Sequence, residues 1–137
     1  MTGIDQAEVT RMLNASCSAT AYTTKTTGFK VKLNSTASTA STQGTELPSG
    51  GGYVTGGQTS TAPFASTSAA GSAVLIPHTA ILTWTNASGS PWSIVSFDLL
   101  DGAGVRTWFG NFTGQPIAIA IGNTFQLAID SISIALA

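Results

Sequence analysis

The side chains able to do chemistry are few and widely spaced. His78 is the sole histidine, in Ile76-Pro77-His78-Thr79, and no Gly-x-Ser-x-Gly elbow occurs. A serine nucleophile needs a base and an orienting acid, so His78 reads as a loop or rim residue. Cys17, the sole cysteine, falls at the end of a candidate helix, where nothing lowers a thiol's pKa. It reads as a small buried hydrophobe. Asp98 and Asp101 flank Leu99-Leu100, but calcium takes roughly six to eight oxygen ligands, more than this loop offers. Asp101 therefore reads as a turn residue and Asp98 as a solvated position on a strand face. Asp130 reads as a turn between the last two strands, with a cation such as Arg106 as its other possible partner. The lysines at 25, 30 and 32 suit a solvated face better than a phosphate site. Trp84, Trp92 and Trp108, with Phe97, Phe109 and Phe112 nearby, could stack bases or sugars. With only Arg106 among them, core packing comes first and a neutral-sugar platform second. No catalytic set, cofactor site or metal-ligand set emerges.

Positioning elements follow from periodicity. Residues 3–17 form the one credible helix, with Thr2 as candidate N-cap and Asp5 favouring the positive end of the dipole. Its apolar stripe is narrow, and a helix this short must dock on its own sheet or on a neighbouring subunit. In the first strand, 28–33, Phe29, Val31 and Leu33 point one way and Lys30 and Lys32 the other. Residues 34–73 read as a long Ser/Thr/Gly-rich arm or loop, ordered by a partner. Gly50, Gly51 and Gly52 mark a sharp change of direction within it, and Tyr53, Val54 and Phe64 are its expected anchors. Residues 74–137 carry the main strands. Ala80–Trp84 precedes a turn at 86–91, and Trp92–Leu100 shifts phase near Ile94-Val95, as at a bulge. Asp101-Gly-Ala-Gly104 is a hairpin signal before the return strand Val105–Phe112. Three period-2 runs close the chain, at 117–121, 125–129 and 132–136, with a Gly122-Asn123 turn after the first. The sum is one domain, 1–137: an all-β, antiparallel sandwich with a short N-terminal helix.

Composition narrows the function. Of 137 residues only five are Lys or Arg and six Asp or Glu, whereas Thr occurs 21 times and Ser 16 times. Such a chain cannot neutralise a run of phosphates, which excludes nucleic acid as a partner. Its mean hydropathy of +0.26 sets it apart from disordered chains. One cysteine excludes a disulfide framework. The opening Met1–Glu8 has early acids and no apolar core, so no secretory signal is read there. The apolar runs fall well short of the roughly 18–20 residues that span a membrane. The chain thus reads as soluble and made in a cytoplasm, and the sequons at Asn14, Asn34, Asn86 and Asn111 carry no weight.

In order, several features resemble a group of small tailed-phage virion proteins, of the minor capsid, decoration or tail-fibre kind. They are the N-terminal helix, the strand Phe29-Lys-Val-Lys-Leu33, Pro48-Ser-Gly-Gly-Gly-Tyr53 and a strand ending near Trp84. Then come Ile94-Val-Ser-Phe-Asp-Leu99, the Asp101-Gly turn, Trp108-Phe-Gly110 and Ile121-Gly-Asn-Thr-Phe-Gln-Leu-Ala-Ile129. The Ser/Thr tract at 34–45 and the scarcity of charge depart from that pattern. The resemblance implies a non-enzymatic virion component assembled in the host cytoplasm, foremost a capsid decoration (cement) protein. Its partners would be itself, as a homotrimer, and the major capsid protein or other virion proteins. A tail or tail-fibre component and a carbohydrate-binding module are the alternatives.

Overall fold

Alternation at 29–33 does produce a strand, and its neighbours make that strand an interior one. The computed structural model describes residues 2–18, 21, 28–59, 68–70, 73–77, 81–128 and 133–136. The chain is mainly β, with antiparallel sheets and one helix among the described residues. A short strand β1 (Thr2–Ile4) leads into α1 (Gln6–Cys17), and β2 (Lys30–Asn34) follows. Next come β3 (Gln58–Thr59), β4 (Ser68–Ala70), β5 (Ala73–Pro77), β6 (Leu82–Thr85) and β7 (Trp92–Ile94). The remainder are β8 (Ser96–Leu100), β9 (Arg106–Asn111), β10 (Ile117–Ile119), β11 (Thr124–Leu127) and β12 (Ser133–Leu136).

The central sheet has the order β1-β9-β8-β2-β3. Two ribbons, β10-β7 and β11-β6, and a three-stranded sheet β12-β5-β4 complete the architecture. The phase shift at Ile94-Val95 is a change of partner: β7 pairs with β10, whereas β8 pairs with β2 and β9. Val95 links the two by donating to Asn34 O and accepting from Phe112 N. The hairpin at 101–104 forms as its residues require. Asp101 Oδ1 accepts from Ala103 N and Val105 N, and Gly104 has a φ of 82°.

The core lies between one face of the central sheet and the ribbons. Val31, Leu33, Phe97 and Leu99 from β2 and β8 meet Leu82, Trp84, Trp92, Ile94, Ile119, Phe125 and Leu127. Leu47 and Tyr53 reach the same cluster from the segment between β2 and β3. Trp84 tilts against Phe125 at 6.0 Å and Tyr53 meets Trp92 edge-on at 6.2 Å. Asn86 joins the ribbons by donating to the carbonyls of Ser90 and Ile119.

Several expectations need correction. Asp5, not Thr2, caps the helix, accepting from Ala7 N at 2.9 Å, because Thr2–Ile4 is taken into the sheet beside β9. Within the described residues, 34–59 is not an arm awaiting a partner. Tyr53 is buried and its hydroxyl lies on the backbone of Leu33 and on Glu46 Oε1. Val54, an expected anchor, is 72% exposed. Cys17 is exposed at the last turn of α1 and is not a buried hydrophobe. The triple glycine makes its turn: Gly50, Gly51 and Gly52 all have positive φ, and Gly50 bridges to Tyr53. His78, Asp130, Lys25 and Phe64 lie outside the described residues.

Candidate functional site

Opposite the apolar core, the central sheet carries a second, polar face. Alternation along β2 turns Lys32 and Asn34 away from Val31 and Leu33. Register then places Lys32 opposite Asp98 and Asn34 opposite Ser96. The β9 strand adds Arg106 and Asn111. A bulge between Leu99 and Leu100 resets the alternation, so Arg106 comes to Asp98. The segment 35–45 lies over this face as a strap, and Lys32, Asn34, Ser38, Ser96, Asp98 and Arg106 are all buried. Solvated faces for Lys32 and Asp98 are therefore corrected: each neutralises the other beneath the strap.

Asp98 is the centre of the face. Its Oδ1 lies 3.4 Å from Arg106 Nη1, and its Oδ2 lies 3.2 Å from Lys32 Nζ and 3.0 Å from Asn34 Nδ2. Arg106 spreads its rigid fork of donors over several acceptors. Nε and Nη2 reach Asp5 Oδ2 at 2.7 and 2.6 Å, Nη2 reaches Ala40 O and Nη1 reaches Thr42 O. One guanidinium thus ties the helix cap, the strap and the sheet together. Lys32 Nζ also donates to Gln43 Oε1 at 2.6 Å. Asn111 clasps Ser38 through both its backbone groups. Ser96 Oγ donates to Thr36 O at 2.7 Å.

A second polar clamp holds the glycine turn. Glu46 Oε1 accepts from Tyr53 Oη at 2.9 Å and from Gly56 N at 2.6 Å. Burial, with the Glu46 carboxylate beside it, pushes the Tyr53 phenol well above its ordinary ionisation range. Tyr53 is thus a neutral donor, not a base.

These arrangements tie the strap, the helix cap and the glycine turn to the sheet. Arg106 has its donors engaged, and no group of three or more His, Cys, Asp or Glu among the described residues could hold a metal. Among the described residues, two shallow recesses bear on a site. One, of about 310 Å³, is lined by Gly52, Val54, Gly57, Gln58, Thr83 and Trp84 and has no ionisable side chain. The other, of about 350 Å³, sits where Asp5 already caps the helix. Trp84 and Trp92 are 3% and 2% exposed, so they are core residues as expected and offer no open stacking platform. Asp98 and Asp101 do not act as an acid pair: Asp101 serves its turn while Asp98 serves two cations.

Sequence reasoning missed this face although a signal was present. Lys32-x-Asn34 and Ser96-x-Asp98 are complementary in charge at paired positions, but that is visible only once β2 is known to pair with β8. Compared with known proteins, the chain matches no family model, no curated protein and no solved structure.

Proposed function

We propose that this chain is a non-enzymatic structural protein of a bacteriophage virion, a capsid decoration protein that acts as a homotrimer and bridges shell subunits. One observation carries the reading. Nine charged residues lie in the described part, and none of them is exposed. Glu8, Lys32, Asp98, Asp101 and Arg106 are buried, and Asp5, Arg11, Lys30 and Glu46 are half-buried. Lys, Glu, Arg and Asp normally make up the outside of a soluble domain and keep its copies apart. Among the described residues the outside is mainly Thr, Ser, Ala, Gly and Gln, with Leu13, Val54, Ile81, Val105 and Ile121 each at least half exposed. Such a surface loses little by being covered, since few ions need desolvation. The resemblance to small tailed-phage virion proteins supplies the particle in which that covering occurs.

The test is a copy count in purified particles that carry this chain. Tens to hundreds of copies, in multiples of three and removable without loss of the tail, are expected for a shell component. A handful of copies places the chain in the tail instead. Absence from the particle overturns the virion reading altogether.

A further inference from the structure

The polar face holds a nucleophile, a proton carrier and an amide electrophile in one water-poor place. Lys32 is 6% exposed, and Asn34 and Asp98 are each 0% exposed. Asp98 Oδ2 touches both Lys32 Nζ at 3.2 Å and Asn34 Nδ2 at 3.0 Å. Arg106 sits on the other oxygen, Oδ1, at 3.4 Å, which fixes the carboxylate and leaves Oδ2 to serve both nitrogens. Asn34 Oδ1 is buried with no hydrogen-bond partner among the described residues. An amine must hand its proton to a neighbouring base before it can attack a carbonyl carbon, and the Asp98 carboxylate is in contact with Lys32 Nζ.

We propose that Lys32 and Asn34 form an intramolecular amide cross-link with Asp98 as the proton carrier. The two side chains leave the same face of β2 two residues apart, roughly 6.5–7 Å along the strand. A lysine stem laid along the strand spans that gap. Asp98 Oδ2 takes a proton from the Nζ ammonium, and the freed lone pair forms a bond to Asn34 Cγ. The Cγ–Nδ2 bond breaks and its electron pair leaves with Nδ2. Asp98 hands on the protons that Nζ gives up, so the leaving group departs as ammonium and Asp98 returns to the carboxylate. Ser38 Oγ, 3.1 Å from Nδ2, stands beside the departing nitrogen. No oxidant or cofactor is needed. The product replaces a buried cation by a neutral amide and leaves Asp98 paired with Arg106. The gain is the removal of a charge whose burial is expensive even when paired.

Intact-mass measurement of the full chain, folded, held at neutral pH and then denatured, tests this directly. The expected mass is lower than the sequence mass by about 17 Da, one ammonia, with fragmentation placing the link between Lys32 and Asn34. Lys32→Arg keeps a cation beside Asp98 but cannot form the bond, and is expected to show the full sequence mass. An unaltered mass for the folded wild-type chain overturns the proposal. So does a loss that persists in Lys32→Arg, or a link that maps to Gln43, whose Oε1 also contacts Lys32 Nζ.

Discussion

Arg106 is the residue on which most of the polar face depends. It is 5% exposed and bonds Asp5, Asp98 and the carbonyls of Ala40 and Thr42. Removing one partner from a buried ion network leaves the others uncompensated, which costs about 3–5 kcal/mol. Arg106→Ala is expected to lower unfolding stability by that amount in urea titration. Arg106→Lys is expected to recover only part of it, because an ammonium cannot reach both Asp5 and the strap carbonyls in one plane. Tyr53 gives a pH signature of its own. Its phenol stays protonated in the folded chain, whereas the unfolded phenol ionises near pH 10. A folded pKa raised above the unfolded one contributes stability below that pH and loses it as pH rises further. Unfolding free energy is therefore expected to fall steadily above about pH 10, and Tyr53→Phe is expected to flatten that slope while being less stable at neutral pH.

Elements were legible wherever one face is apolar. The alternations at 82–85 and 124–127 and the hairpin at 101–104 could be read because their burial follows a period of two. The strands β2 and β8 could be placed but not understood, since both their faces are covered and one of them carries charge. A polar residue on a strand reads as solvated unless its cover is known, and the cover here is a strap with no periodicity. The helix start was misplaced for a related reason: Asp5 is both cap and ion partner of Arg106, and only the pairing of β1 with β9 reveals it. Asp5→Ala is expected to reduce helical content in circular dichroism and to cost more than the usual ~0.5–2 kcal/mol of a lost cap. The glycine turn offers a contrast between neighbours. Gly50→Ala meets only the strain of a positive φ, about 1–2 kcal/mol. Gly51→Ala is expected to cost more in thermal unfolding, since its new methyl would run into the backbone of Ala87 and Ser88.

At the scale of the whole molecule, the scarcity of charge and its location say different things. Eleven charges among 137 residues are few for a phosphate-binding surface. The nine within the described residues lie inside or at half depth, which adds that the outside of that part is neutral, a property no count could supply. α1 fits this pattern. It turns Glu8 inward and leaves Val9 at 37% and Leu13 at 56% exposure, the reverse of a helix that faces water. Association through such surfaces rests on apolar burial and hydrogen bonds, so screening by salt should barely touch it. Sedimentation of the purified full chain over a range of concentrations, at low and high salt, tests the covered surface most directly. A trimer whose association constant is nearly independent of salt is expected. A monomer at every concentration, or an assembly that dissolves as salt rises, would contradict it.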